Sequence, residues 1–291
     1  MKTYIVIYNK NSRGKNYSKK DLEIIFSKHE LNSKIFVTND IKDVEIIIQK
    51  FNDPNKYLYC AIGGDGTLNS LINALLMNNI DNPEVACIAS GSGSDFLRTF
   101  AMPRDINQAI IRIKNNNNYV VDASLIESKS NSRYFINVLN YGFLAETVNL
   151  SEKLPNIVKR FRYPISFWLK IIFASATETY VDTDRGEFNG DTFNISVCNA
   201  QYFGGGWNIS PKSSLQDGLF NVQIFAVTKF KAMKIFFLAK RGLHLREPNI
   251  FVKKTSNIRL LTKQAIEIDG DYFGNGPAEI FIKKRAIRFK I

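Results

Sequence analysis

Tyr57-Leu58-Tyr59-Cys60-Ala61-Ile62-Gly63-Gly64-Asp65-Gly66-Thr67-Leu68-Asn69 is the stretch on which the reading of this chain turns. A short apolar run runs into three glycines within four positions. Leu68, Leu71, Ile72, Leu75 and Leu76 then recur at helical spacing and lay one continuous apolar face on a helix. Strand, glycine turn and helix in that order open a βαβ unit. Glycines in such a turn let the backbone reach positive φ and approach a ligand closely, while amides at the helix N-terminus offer donors and partial positive charge to phosphate oxygens. Thr67 is placed to cap the helix or to touch a phosphate. A lone Gly-Gly pair beside an aspartate is an ordinary turn, but three glycines at the carboxyl end of a parallel strand favour the phosphate reading.

Working outward, Ser90-Gly91-Ser92-Gly93-Ser94-Asp95-Phe96 repeats the arrangement after the strand expected at residues 85–89. Further strands are expected at 4–8, 34–38 and 119–121, the last ending at Asp122, and another helix face at Ile106, Ala109, Ile110 and Ile113. Residues 1–125 therefore read as a Rossmann-like α/β domain with a parallel sheet. Neighbouring strand ends in such a sheet open onto one crevice, so Asp65, Asp95 and Asp122 are expected to converge there and to suit a hydrated divalent cation, magnesium being the simplest. The alternative for Asp95 is an N-cap of a helix beginning near Phe96.

Beyond residue 125 the pattern changes to alternating, turn-punctuated segments at 135–139, 192–198, 219–225, 265–268, 278–282 and 286–291. These read as antiparallel sheet, interrupted by helices over 158–176 and 229–243. A chain of 291 residues accommodates two domains, here 1–125 and 126–291, with a cleft between them as the expected site. A net charge of +12 fits nucleic acid, an anionic membrane surface or an anionic ligand. The basic residues are scattered rather than striped with aromatics on one element, which argues against nucleic acid. Cys60, Cys87 and Cys198 stand far apart without a CxxC pair and read as reduced core thiols. The N-terminal apolar run is too short for a signal segment, and no run reaches the ~20 residues of a spanning helix, so a cytoplasmic protein is expected.

The two glycine turns together, residues 63–69 and 91–96, resemble the nucleotide site of the bacterial diacylglycerol kinase and lipid kinase family, related to sphingosine kinases and more distantly to NAD kinases. Phe135-Ile136-Asn137-Val138 with Gly142-Phe143, then residues 199–206, then Pro211 through 214–219, then Ile268-Asp269-Gly270-Asp271 resemble further family segments in order. The likeness spans nearly the whole chain. It implies an α/β nucleotide domain, a C-terminal β-sandwich whose last strand returns to the first domain, and ATP- and Mg2+-dependent transfer of a γ-phosphoryl group to a lipid hydroxyl, with diacylglycerol giving phosphatidic acid as the leading choice.

Carried over by position, the resemblance assigns ATP contacts to Asn9, to Arg13, Gly14 and Lys15 of the 11–15 loop, to Thr38, to Gly63, Gly64, Asp65, Gly66, Thr67, Leu68, Asn69 and Ser70, and to Ser92. It assigns a magnesium-water network to Asp65, Asp95 and Asp122, and a second, structural magnesium to Asp217 with the carbonyls of Ser214 and Leu219. Asp271 takes the place of the general base, where the family carries a glutamate one methylene longer. Ser92 and Ser94 replace the usual Thr and Asn, and Lys10 a usual Pro. The alternatives are an NAD kinase-like phosphotransferase and a nucleotide- or lipid-binding module without catalysis. A lipid acceptor implies peripheral contact with an anionic membrane. Phe161, Tyr163, Phe167 and Trp168 among Lys159, Arg160, Arg162 and Lys170 are the candidate contact, with an ordinary core helix as the alternative. Oligomeric state stays open, a homodimer included.

Overall fold

The computed structural model describes residues 2–10, 16–90, 94–115, 117–158 and 161–291, and the chain divides into two units, residues 1–123 with 283–291 and residues 124–282. The first alternates strands and helices: β1 (Thr3–Asn9), α1 (Lys19–Lys28), β2 (Ser33–Thr38), α2 (Ile41–Lys50), β3 (Tyr57–Gly63), α3 (Asp65–Met77), β4 (Glu84–Ala89), α4 (Asp95–Thr99) and α5 (Ile106–Lys114). The strands lie parallel in the order β2-β1-β3-β4. Ile5, Val6, Ile7 and Tyr8 are all buried, as are Leu58 to Ile62, which is the signature of strands covered on both faces. Local chemistry sets the helix starts. Ser18 and Asp21 form a reciprocal capping box, and the carboxylates of Asp40 and Asp105 accept from the amides of Asp43 and Gln108.

β5 (Asn118–Ser128) leaves this unit for the second, and here one expectation is corrected. The strand does not end at Asp122 but runs on past it. A buried carboxylate is a reasonable place to end a strand only if nothing satisfies it, and the backbone amide of Arg285 donates to Asp122 Oδ1 at 2.6 Å.

The second unit continues with β6 (Ser132–Phe135), β7 (Val138–Gly142), α6 (Phe143–Lys153), α7 (Arg162–Phe173), β8 (Thr177–Thr183), β9 (Phe188–Thr192), β10 (Asn194–Cys198), β11 (Tyr202–Phe203), β12 (Trp207–Asn208), β13 (Phe220–Phe225), α8 (Lys229–Ala239), β14 (Ile250–Thr255), β15 (Asn257–Leu260), β16 (Ala265–Ile268), β17 (Asp271–Asn275) and β18 (Ala278–Lys290). One antiparallel sheet has the order β14-β13-β10-β7-β16-β17. Against it lie β9, β8, β15 and the first half of β18. Leu139, Ile195, Val222 and Ile266 from the one meet Val181, Ile258 and Ile280 from the other in a single apolar cluster, so the unit is a β-sandwich. The outer face of the six-stranded sheet carries α7 and α8 over Phe193, Phe225 and Val227.

The two strands expected at 278–282 and 286–291 are one. Lys283, Lys284 and Arg285 read as a break, yet they pass through the middle of β18, where Arg285 takes a left-handed φ of 54°. The end of β18 then pairs with β4, completing the parallel sheet of the first unit. The strand expected at 135–139 is instead interrupted at Ile136 and Asn137, whose amides turn onto a carboxylate described below.

Candidate active site

The register of the first unit sets Asn9 beside Thr38, and Gly63 beside Ala89. These are the carboxyl ends of β1 to β4. The chain runs outward from β1 to β2 on one side and returns to β3 on the other, so the strand order reverses between β1 and β3. Ligands of open α/β sheets bind at that point. Four expected nucleotide contacts, Asn9, Thr38, Gly63 and Gly64, therefore belong to one edge.

Each glycine of the turn has its own reason. A Cβ on Gly63 would lie 2.2 Å from Oγ1 of Thr67, so packing requires glycine there. At Gly64 and Gly66 an added Cβ would meet nothing within 4 Å, which leaves open space over the backbone. None of the three adopts positive φ, contrary to expectation; Gly64 sits at φ −105° as the N-cap of α3. Gly64 has no side chain with which to cap that helix, and free donors at a helix N-terminus attract anions. Thr67 is inside the helix and buried, not a cap. Leu68 is buried, Asn69 accepts from Asn73, and the Ser70 hydroxyl donates to the carbonyl of Gly66 at 2.8 Å. The open space thus falls over backbone rather than over side chains. Thr38 is also buried, with Oγ1 directed at the carbonyl of Tyr8. Arg13, Gly14, Lys15 and Ser92 lie outside the described residues.

Asp65 is tied to the second turn. Its Oδ1 accepts from the Ser94 hydroxyl at 2.5 Å and from the Phe96 amide at 3.2 Å, and Oδ2 accepts from the Asp95 amide at 2.7 Å. The helix starting at Asp95 is capped by Ser94, so Asp95 is its first residue and not its cap. The Asp95 carboxylate is buried and 3.8 Å from the guanidinium of Arg98. Asp122 is held by Arg285, as above. The expected convergence of three carboxylates does not form: among the described residues no group of three or more His, Cys, Asp or Glu is gathered as a metal site. The reason is local, since two of the three carboxylates accept from backbone amides of their own. Mg2+ entering with a nucleotide needs only one or two carboxylates besides phosphate oxygens, and the neighbouring Asp65 and Asp95 fit that smaller demand. A cavity of about 300 Å³ lies at the end of β4, lined by Ala89, Ser94, Leu97, Met102 and the two arginines Arg98 and Arg104. Those arginines carry no motif, and only their place in the fold brings them to this edge.

In the second unit Asp269 closes the β16–β17 turn with φ 50°, and its carboxylate accepts from the amides of Ile136, Asn137 and Val138 at 3.0 Å each. Asp271, half-exposed, pairs through Oδ2 with Arg133 at 2.8 Å. Beneath the turn Glu267 is buried, accepting from Asn140 Nδ2 at 2.7 Å and from the Gly270 amide at 2.5 Å. Burial pushes its carboxyl up to about 8, the nearby Asp269 and Asp271 push the same way, and the two hydrogen bonds only partly oppose them. Neither Glu267 nor Arg133 was singled out by sequence. An alternating strand shows a Glu without showing which face it occupies.

The Asp217 carboxylate accepts from the Leu219 amide at 3.1 Å and from Lys254 Nζ at 2.9 Å, and the Ser214 hydroxyl accepts from the Gln216 amide. An ammonium already sits on the only carboxylate of that oxygen set. A magnesium there would share the carboxylate with Lys254, Asp217 supplying the anionic oxygen of the set.

A glycine turn that leads into a helix at the switch point of an open α/β sheet is a place where phosphate-bearing ligands bind. Comparison with known proteins agrees. Residues 3–126 match the diacylglycerol kinase catalytic domain, and residues 137–290 match the YegS C-terminal NAD kinase beta sandwich-like domain. Diacylglycerol kinases of Staphylococcus aureus strains bovine RF122 / ET3-1 and JH9 are 29% and 28% identical over 289 residues, covering 97% of this chain and 90% of theirs. The crystal structure of a diacylglycerol kinase from Bacillus anthracis str. Sterne aligns with a TM-score of 0.76 at 21% identity, over 99% of this chain and 96% of that one. The chain belongs to the diacylglycerol kinase family, whose members are lipid kinases.

Proposed function

We propose that this protein transfers the γ-phosphoryl group of ATP, in the presence of Mg2+, to the hydroxyl of diacylglycerol, giving phosphatidic acid. The observation that carries the reading is the N-terminus of α3, whose N-cap Gly64 has no side chain, at the β1–β3 switch point and with no described atom within 4 Å of a Cβ added at Gly64 or Gly66. Amides there are donors for phosphate oxygens and can approach them because no Cβ intervenes. Asn9 and Thr38 shape the same edge, and Arg98 and Arg104 supply positive charge beside it. On this reading the 11–15 loop and Ser92 complete the nucleotide contacts. Asp65 and Asp95 would hold a magnesium brought by ATP, which would supply charge neutralisation for the phosphates. Asp65 also holds the two glycine turns together.

Phosphoryl transfer asks little covalent chemistry of the protein and much positioning. Asp271 accepts the proton of the acceptor hydroxyl, which requires a heavy-atom distance of about 2.6–3.2 Å. Its pairing with Arg133 commits Oδ2 and leaves Oδ1 for the hydroxyl. The turn is anchored from beneath by Glu267 and from the side through Asp269, so the shorter carboxylate stands on a fixed base. Asp122 serves through the backbone of Arg285 and supports rather than binds. A second magnesium would be held by Asp217 with the carbonyls of Ser214 and Leu219, beside Lys254, and no step depends on it. Among the described residues no helix is long and apolar enough to cross a membrane, so the reading is of a peripheral enzyme meeting its acceptor at the bilayer surface.

The test is incubation with labelled ATP, Mg2+ and a panel of diacylglycerol, monoacylglycerol, phosphatidylglycerol, sphingoid base and NAD. Labelled phosphatidic acid is the expected product. Label appearing only in NADP would overturn the lipid reading, and ATP binding without transfer to any acceptor would mean a binding module.

A further inference from the structure

Asp269 and Gly270, at φ 50° and 97°, close the β16–β17 hairpin between the paired residues Ile268 and Asp271. In a turn of that length the amide of the second turn residue lies outside the strand ladder and has to find another acceptor. Glu267 Oε1 is that acceptor, at 2.5 Å from the Gly270 nitrogen. Its other oxygen, Oε2, accepts from Asn140 Nδ2 at 2.7 Å. The carboxyl thus ties the Asp269–Gly270 peptide to the neighbouring strand β7.

Asn140 is itself held. Its Oδ1 accepts from the Ser196 hydroxyl at 2.7 Å and from Asn194 Nδ2 at 3.3 Å, and Asn194 Oδ1 accepts from the Leu144 amide at 3.0 Å in the first turn of α6. Glu267, Asn140 and Ser196 are cross-strand partners on β16, β7 and β10, and all three are buried. The far end of α6 returns to the same hairpin, where Glu152 Oε1 accepts from the Tyr272 amide at 2.9 Å. A carboxyl and an amide buried in place of two apolar side chains cost desolvation. What the pair gives in return is direction, because two oxygens facing two N–H donors admit one arrangement of the turn.

We propose that Glu267 is a positioning residue of the acceptor site, holding the Asp269–Gly270 peptide so that the Asp271 carboxylate keeps one orientation toward the acceptor hydroxyl. The part played by Asp271 rests on the lipid kinase reading; the clamp on the hairpin does not.

The charge on Glu267 gives the clamp a pH dependence. Asp269 and Asp271 act on it from the turn, the latter paired with Arg133, while Tyr272 stands across from it on β17 and Tyr163 on α7 feels its charge. On α6, Glu146 is paired with Lys170, Glu152 sits on the Tyr272 amide, and Lys153 is exposed. Among the described residues no Lys, Arg or His is paired with Glu267 itself. Below about 8 the group is uncharged, and above it a third negative charge joins Asp269 and Asp271 in the turn that has to meet a phosphoryl group. Turnover is therefore expected to fall as pH rises through that value.

The test combines kinetics and NMR on the full chain. The kinetic arm measures kcat and KM for ATP with a short-chain diacylglycerol, from about pH 6 to about 9.5, on wild type, Glu267→Leu and Glu267→Gln. Glu267→Leu offers no acceptor and should lower kcat by roughly tenfold or more with KM for ATP unmoved, since a misplaced base costs rate and not nucleotide affinity. Glu267→Gln keeps one acceptor oxygen for Gly270, so it should recover most of that loss and lack the alkaline fall of wild type. A Glu267 that only stabilises the fold would move Tm in the variants and leave the pH profile of Glu267→Gln parallel to wild type, which overturns the proposal. A folded Glu267→Leu protein with wild-type turnover overturns it too. The second arm follows the carboxyl carbons of Glu267 and Asp271 and the Gly270 amide through the same pH range without substrate. In wild type the three should shift together near 8, and in Glu267→Gln the last two should stay flat there. Asp271 and Gly270 signals that ignore the ionisation of Glu267 overturn the clamp, and this arm and Glu267→Gln decide the matter if Glu267→Leu does not fold. If wild type phosphorylates no acceptor, the activity reading falls and the NMR result alone decides whether Glu267 holds the turn.

Discussion

Gly63 and Gly66 sit three residues apart in one turn and should answer to the same substitution in opposite ways. Gly63→Ala would put a methyl group 2.2 Å from Thr67 Oγ1 and 2.6 Å from its Cβ, a contact that forces backbone to move and should cost about 1–3 kcal/mol. Gly66→Ala meets no atom within 4 Å and replaces a glycine within a helix, so it should raise stability by roughly 0.5–1 kcal/mol while blocking close approach of a phosphate. Chemical denaturation and ATP binding, measured on both, separate the packing role from the binding role. A Gly66→Ala protein that binds ATP normally would remove this turn from the nucleotide site. Asp65 behaves differently from a solvent-side carboxylate. Truncation to Ala strands the Ser94 hydroxyl and the amides of Asp95 and Phe96, and should cost about 1–3 kcal/mol together with activity. Asp65→Asn keeps an acceptor oxygen, so it should retain most of the stability and lose turnover; full turnover would show the negative charge to be dispensable.

The β16–β17 hairpin is the element in which structure and titration meet. Glu267 has an ordinary value of 4.5 in the unfolded chain and about 8 when folded. Between those values the unfolded state has released the proton and the folded state still holds it, so stability falls as pH rises through this window and levels off above it. Glu267→Gln removes the dependence. Its Tm relative to wild type should climb as pH rises from about 4.5 to about 8, the full effect amounting to a few kcal/mol at most. A Tm difference that is flat with pH would mean that Glu267 ionises normally. At the same scale the aromatics around α7 divide: Phe167 belongs to the core, Trp168 and Phe161 are exposed, and a list of aromatics cannot tell one face from the other until the sheet is in place.

For the molecule as a whole, the last strand matters more than its position at the chain's end suggests. Ile287 and Phe289 are buried in the first unit, and Phe289 packs on Phe96 at 4.9 Å and on Phe100 at 5.2 Å, just behind the turn that carries Asp95. Deleting residues 283–291 should therefore abolish ATP binding and cooperative unfolding of the first unit, although the deletion is remote in sequence from every glycine. Retained ATP affinity would show that residues 1–123 suffice. The βαβ rhythm, the glycine turns and the antiparallel second half were legible because periodicity and turn chemistry are local. The capping of α4 through Asp65, the arginines beside β4 and the buried Glu267 were not, because each depends on a partner distant along the chain.

By itself the sequence determined the two kinds of layer, the strand ends that carry the glycine turns, and the acidic turn in the second half, since these follow from spacing and from glycine's missing side chain. Only the tertiary structure decided that Gly63 is demanded by Thr67 and not by φ, that Asp65 and Asp122 are occupied by backbone amides, that Lys254 stands on Asp217, and that α7 keeps an apolar face uncovered. The physical reason is common to all four. Hydrogen bonds, ion pairs and burial are settled by which groups meet in space, and a strand or helix pattern states what a segment is able to bury without stating what it will meet.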